Sequence, residues 1–232
     1  MVKRHGCVRG IALKKTFGQH FLRNDLVAQK IVSSVVLNSN SSVMEIGCGD
    51  GALTRLIQQY PFARLWIFEI DPEWAVHVEK KLPDERMVIF VEDILKTSLS
   101  RLEEHSPWVL LSNLPYQITF PILYRMQEYR HLFAEGVLMM QEEVAQKLVA
   151  HHGRGYGFAS LFFQHYFTLT LMDKIAPTAF YPPPKVFSRL VHFRPKATVT
   201  TIPSEAGFWD FIRACFRQPR RTLKNNLVQK HY

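Results

Sequence analysis

Residues 42–54 read SVMEIGCGDGALT: a short apolar run, then Gly47, Gly49 and Gly51, then the start of a helix-forming segment. Glycines at the end of a strand let the backbone approach a ligand closely, and the first turn of the next helix offers free amide donors. Gly47, Gly49 and Ala52 formally satisfy the dinucleotide fingerprint, which keeps an NAD reading open. ARLWIFEI (63–70) reads as a second strand. Glu69 near its end stands about 20 residues past the glycines, where a carboxylate can accept from both hydroxyls of a ribose. That much suits NAD and S-adenosylmethionine alike.

Outward from this unit, strands and helices alternate. NDLVAQKIVSSVV, with Asn24 as N-cap, carries Leu26, Val27, Ile31 and Val35 at helical spacing. DPEWAVHVEKKL predicts a helix with Pro72 in its first turn, where a missing amide hydrogen costs nothing. MVIFVED and PWVLL predict a third and a fourth strand, FPILYRMQEY a helix, GVLMMQ a fifth strand and EEVAQKLVAHH another helix. Such alternation predicts an α/β fold, a parallel sheet with helices on both faces. After HHGRGYG the pattern changes: FFQHYFTLTLMDKI and VFSRLVHFRP predict two strands around PTAFYPPPK, which would close the sheet with an antiparallel edge. KATVTTIPSE reads as a linker and GFWDFIRACFRQ as an amphipathic helix. Residues 1–195 are thus expected to form one domain and 196–232 a small helical appendage.

Ligands of open α/β sheets bind outside the carboxyl ends of the strands. Gly47, Glu69, Asp93 and Asn113 stand at four successive strand ends and should line one crevice; the Asp93 carboxylate could accept from an adenine amino group. Taken singly, Glu69 could instead be a helix cap and Asp93 a turn former. Together the four favour a nucleoside-bearing cofactor. The fourth strand runs into LSNLPYQITFP (111–121), which places an amide, a rigid turn and a phenol side by side where a plain loop needs no aromatic.

Composition narrows the partners. The 232 residues carry a formal net charge of +9, which attracts polyanions, nucleic acid foremost. Lys14 and Lys15, and the set Arg217, Arg220, Arg221 and Lys224 within RQPRRTLKNN, are candidate phosphate contacts. Cys7, Cys48 and Cys215 are scattered and the histidines lack ligand spacing, so neither a disulfide framework nor a metal site is expected. Apolar runs fall short of the roughly 20 residues a membrane span needs. MVKRHGCVRGIALKK lacks the apolar core of a secretory signal, so a cytoplasmic protein without membrane association is expected.

Six blocks, in order, resemble one known family. KKTFGQHFL, VMEIGCGDGALT, SNLPYQITFPIL, MMQEEVAQKLVA, AFYPPPKVFS and FRQPRRTLKNNL are similar to motifs of the ribosomal-RNA adenine N6-dimethyltransferases, above all those acting on the small subunit. The resemblance implies a Rossmann-like class I methyltransferase sheet. It implies S-adenosylmethionine as cofactor, contacted by His20, Leu22, Gly47, Glu69, Asp93 and Asn113. It also implies a monomer that doubly methylates two adjacent adenosines of small-subunit rRNA, in immature ribosomal subunits, and so serves ribosome maturation. Alternatives are the related large-subunit enzymes of antibiotic resistance, and a non-catalytic RNA-binding assembly factor on the same fold.

The sequence departs from the family's pattern at His20 (usually Asn), Cys48 and Asp50 (commonly Pro and Leu) and Phe187 (frequently Asp). The family continues with more helices after the RRKT-like segment, whereas this sequence stops at Tyr232, so the appendage is expected to be a shortened one.

The resemblance also accounts for the NLPY stretch. The exocyclic nitrogen of adenine is a poor nucleophile because its lone pair is delocalised into the ring. Acceptors out of the ring plane, the Asn113 side-chain oxygen and the Leu114 carbonyl, would favour a pyramidal nitrogen. Pro115 would set the turn, Tyr116 would stack on the extruded base, and Phe180 is placed by resemblance on its other side.

Overall fold

The computed structural model describes residues 7–14, 17–218 and 220–228. The chain opens with a small hairpin, β1 (Cys7–Val8) and β2 (Ile11–Ala12), and a two-residue strand β3 (Phe21–Leu22). The α/β core follows as α1 (Asp25–Ser33), β4 (Ser42–Ile46), α2 (Ala52–Ile57), β5 (Arg64–Glu69), α3 (Pro72–Lys81), β6 (Met87–Val91), β7 (Trp108–Asn113), α4 (Thr119–Glu128), β8 (Phe133–Gln141) and α5 (Glu142–Val149). Then come α6 (Phe158–Tyr166), β9 (Phe167–Ile175), β10 (Phe180–Tyr181), β11 (Ser188–Pro195), α7 (Glu205–Cys215) and α8 (Leu223–Val228).

Seven strands form one sheet in the order β6-β5-β4-β7-β8-β11-β9. The first five are parallel, and β11 is antiparallel to both β8 and β9, the antiparallel edge the sequence predicts. Every residue of β4 is buried because both faces of the sheet are covered. Met44, Ile46, Leu110 and Met140 pack with Ile122 of α4, Ala145 of α5 and Phe163 of α6. On the other face Val43, Ile67, Leu111 and Met139 pack with Ile31 of α1, Leu53 of α2 and Val78 of α3. Each such side chain, fully buried, contributes roughly 1.5–3 kcal/mol.

The chain leaves β4 for β5 and β6 on one side, then returns to β7 and β8 on the other. The switch point therefore lies between β4 and β7. Their ladder ends at Glu45 and Leu111; beyond it the Ser112 hydroxyl donates to the Ile46 carbonyl at 2.6 Å, and the Gly47 amide turns away to Phe68 O at 2.8 Å. The two strands part there, and a crevice opens.

Local signals hold at most boundaries. Asn24 Oδ1 caps α1 by accepting from the Leu26 and Val27 amides, at 3.0 and 3.3 Å. Leu26 itself is 80% exposed, and the inward face is Val27, Ala28, Ile31 and Val32. FFQHYFTLTLMDKI is not one strand. Its first five residues end α6, where Phe162, Phe163 and Tyr166 occupy one buried face at i, i+1 and i+4; the strand starts only at Phe167. The basic segment is likewise not one helix: Arg217, Arg220 and Arg221 lie in the connection between α7 and α8, and only Lys224 is helical. Buried Asn226 closes that connection, accepting from the Gln218 amide and donating to its carbonyl, both at 3.1 Å. Trp209 of α7 packs 5.0 Å from Phe162 and donates to Tyr166 Oη at 2.8 Å, so the segment after residue 195 shares the core of the sheet domain. Among the described residues no helix is long and apolar enough to cross a membrane.

Candidate active site

A cleft of about 310 Å³ opens at the switch point, within the size range of small-ligand sites. His20, Leu22, Gly47, Glu69, Asp93 and Asn113 all line it, together with Leu114 and Tyr116. Its floor is the glycine turn. Gly47, Gly49 and Gly51 have φ of 73°, 52° and 84°, a region that strains other residues, and a Cβ on Gly49 would lie 3.0 Å from the Phe21 ring.

Glu69, 6% exposed, reaches back over this turn. One carboxylate oxygen accepts from the Gly49 amide at 3.0 Å, the other from the Asp71 amide at 2.9 Å. Burial pushes its pKa up, against the two amides, which pull it down. The helix cap of α3 is Asp71, whose side chain accepts from the Glu73 amide at 3.1 Å. Asp93 does form a turn, with one oxygen accepting from the Leu95 amide at 3.0 Å, while lining the cleft as well.

At the end of β7, Asn113 donates its side-chain amide hydrogen to the His20 carbonyl at 3.1 Å. The amide plane is thereby set, and its oxygen carries no partner among the described residues. His20 Nδ1 donates to the Pro182 carbonyl at 2.7 Å, which fixes the orientation of the ring. The ring stacks on Tyr116, centroids 5.7 Å apart, and Tyr116 Oη meets the fully buried Ser188 Oγ at 2.6 Å. Tyr116 is therefore held from two sides.

Two expected residues are placed elsewhere. Phe180 does not line the cleft: β10 pairs with β3, Phe180 opposite Leu22, and its ring is buried in the core with Val27 and Leu190. Lys14 is committed within the fold, its ammonium 2.6 Å from buried Asp71 and 2.9 Å from Glu73, so its charge is already matched. Lys15 lies outside the described residues. Arg217, Arg220, Arg221 and Lys224 make no ion pair among the described residues, and all four are exposed.

Three acidic residues escaped the sequence reading. Glu45, Asp50 and Glu92 also line the cleft, so with Glu69 and Asp93 five carboxyl groups line it, and among the described residues no Lys or Arg does. Asp50 is ion-paired with Arg23 and Arg9 from the N-terminal segment. Glu45 is the legible one, a charged residue inside an otherwise apolar buried strand. Burial raises its pKa to about 8; the Thr54 hydroxyl bond at 2.8 Å opposes the shift and the neighbouring Glu69 adds to it.

A folded-state pKa above the unfolded value means stability that is full below pH 4.5 and lost as pH rises through about 8. Glu45→Gln keeps an acceptor for Thr54 and cannot ionise. It is expected to melt several degrees above the parent at pH 9 and much closer to it at pH 5, in calorimetric scans. Equal melting temperatures across that range would refute the assignment.

Residues 10–231 match the profile of the family described as ribosomal RNA adenine dimethylase. A ribosomal RNA small subunit methyltransferase A from Syntrophotalea carbinolica is 36% identical over 218 residues, 93% of this chain and 81% of the relative. One from Chlorobium phaeobacteroides is 38% identical over 223 residues, 96% of this chain and 83% of the relative. Among solved structures, a dimethyladenosine transferase from Plasmodium falciparum superposes with a TM-score of 0.75 at 27% identity, covering 90% of this chain and 74% of that one. The matched span takes in the glycine turn, the NLPY stretch and the basic connection, and on that footing the chain belongs to the ribosomal RNA adenine dimethylase family.

Proposed function

We propose that this protein transfers methyl groups from S-adenosylmethionine to the exocyclic amines of two adjacent adenosines in small-subunit ribosomal RNA, as a step of ribosome maturation. The observation that carries the reading is the pairing of an acid-lined cleft with the free Asn113 oxygen at the sheet's switch point. Among the described residues no Lys or Arg lines the cleft, so the pyrophosphate of NAD finds no cationic partner there. The cleft suits a cofactor that bears a sulfonium and an ammonium. The fit is residue by residue: Glu69 for the ribose hydroxyls, Asp93 for the adenine amine, Gly47 for close backbone approach, and His20, Leu22 and Asn113 as the remaining wall.

When bound, S-adenosylmethionine supplies an electrophilic methyl group, which leaves its sulfur as the nitrogen lone pair forms the new bond. The protein supplies position. Asn113 Oδ1 and the Leu114 carbonyl accept the N6 hydrogens and turn the lone pair toward the methyl carbon. Tyr116, fixed by Ser188 and stacked on His20, presents a face for the extruded base. The first transfer leaves the nitrogen cationic with both hydrogens, and loss of one as a proton to solvent restores the lone pair. The hydrogen that remains lets the same acceptors orient the second transfer, after which the last proton is lost.

RNA is held by the α7–α8 connection. Phosphate contacts position nucleic acid without reading it, and each neutralised phosphate adds about 0.9 to the log–log salt slope. Replacing Arg220 and Arg221 with Ala is expected to weaken rRNA binding and flatten that slope by roughly one to two units, with cofactor affinity unchanged. An unaltered slope would place the RNA elsewhere on the molecule.

The function as a whole is tested by incubating immature small ribosomal subunits with labelled cofactor and mapping the label. Two adjacent dimethylated adenosines in the small-subunit RNA are expected. Label confined to large-subunit RNA, or none, would overturn the reading.

A further inference from the structure

Among the described residues β6 is an edge strand, bonded to β5 on one side alone. The irregular turn that follows it, residues 92–98, therefore has sheet support on one flank only. Yet this turn carries Glu92, Asp93 and Ile94 into the lining of the cleft. It is closed from within at Asp93. One carboxylate oxygen accepts from the Leu95 amide at 3.0 Å, and the Asp93 carbonyl accepts from the Lys96 and Thr97 amides at 2.9 and 3.1 Å. The second carboxylate oxygen meets the exposed Lys96 ammonium at 3.8 Å, a loose surface contact of little strength. That oxygen is open to a ligand.

The missing support comes from α4. Arg125 gives one arm of its guanidinium to the Leu95 carbonyl and the other to the Thr97 carbonyl. A planar fork with a carbonyl on each arm fixes the spacing of the two, and with it the shape of the turn between them. Ile122, Leu123 and Met126 anchor α4 in the core, so the fork is mounted on a rigid element. The guanidinium carbon lies 5.8 Å from the centroid of the Tyr129 ring, and buried Nε has no hydrogen-bond partner among the described residues. A buried donor left unpaired is costly, and the two carbonyls are what hold the group in place against that cost.

We propose that Arg125 is a positioning residue: from α4 it sets the turn that presents Asp93 to the adenine amine of the cofactor. The inference rests on the S-adenosylmethionine reading of the cleft. Arg125 is not part of the lining, so it acts through Asp93 and not on the ligand. Because α4 follows directly on the NLPY stretch, one helix joins the turn that faces the cofactor's base to the turn that faces the RNA's.

The test compares two ligands by isothermal titration: S-adenosylhomocysteine, and an analogue whose purine lacks the 6-amino group. The parent is expected to prefer the first by about tenfold or more, the worth of one hydrogen bond to a charged acceptor. Arg125→Met should bring that preference to within about threefold, because Asp93 no longer stands where the amine is. Arg125→Lys keeps the charge without the fork and should fall between the two. In an Asp93→Ala background, Arg125→Met should change the preference no further. A purely structural staple between helix and turn predicts something else: both ligands weaken together and their ratio stays parental. An unchanged preference in the Met or the Lys variant, beside a parent that discriminates, overturns the role of Arg125 alone. A parent that binds the two ligands equally would instead remove Asp93 from the adenine site, and this inference with it.

Discussion

Asn113→Ala is expected to lower the single-turnover rate of methyl transfer by about 10²–10³-fold, the range seen when one preorganised polar group is removed from a reacting centre. Among the described residues Asn113 makes one side-chain hydrogen bond, the donation to the His20 carbonyl. Losing it costs on the order of 1 kcal/mol of stability, too little to unfold the chain. The oxygen is different, since nothing among the described residues uses it and its work is done on the incoming amine. Rate and stability should therefore separate, with calorimetry still showing cofactor binding and one cooperative transition. Asn113→Asp divides the two roles. It keeps an acceptor but loses the hydrogen given to His20, and it sets a negative charge against that carbonyl. A rate between those of the parent and the Ala variant is expected. If the Ala variant transfers methyl groups at a near-parental rate, the acceptor role is wrong.

What the sequence shows and what it hides divide along physical lines. The ends of β4, β5 and β7 are legible because each is a short apolar run stopped by a glycine or a polar side chain, and topology alone carries such ends to one edge of a parallel sheet. The α6–β9 boundary is hidden because no glycine or proline separates Tyr166 from Phe167; only the change from helical to alternating burial marks it. Lys14 reads as a free cation because its partner Asp71 lies 57 positions away, and the contact exists only once α3 packs against the N-terminal segment. The place of Phe180 is hidden for a related reason. A motif places it near the base, but its pairing with Leu22 turns the ring into the core and leaves Tyr181 outside. Long-range pairing decides which of two adjacent aromatics meets solvent, and local pattern does not contain it.

Glu69→Ala should weaken S-adenosylmethionine binding by one to two decades, the cost of losing a charged acceptor to a buried ligand, about 1.5–3 kcal/mol. Glu69 differs from Asn113 in having structural work of its own. Its two oxygens tie the Gly49 amide to the Asp71 amide, so the Ala variant leaves both donors without a partner and loosens the turn that shapes the cleft. A fall in affinity could then come from a lost ribose acceptor or from a displaced glycine turn. Glu69→Gln separates them: its single oxygen restores one backbone bond and fills the space, but it cannot accept on both sides. If ribose acceptance dominates, Gln should bind nearly as weakly as Ala while melting close to the parent. Acidity supplies an independent reading. Burial raises the Glu69 pKa, so the carboxylate form is lost at a higher pH than for an ordinary glutamate. Affinity in the parent should fall as pH drops through that raised value, because the protonated group accepts poorly from hydroxyls. Isothermal titration across the acid range should show this fall in the parent and a flatter profile in both variants. Parental affinity in the Ala variant, or the same acid-dependent loss in all three proteins, would remove Glu69 from the cofactor site.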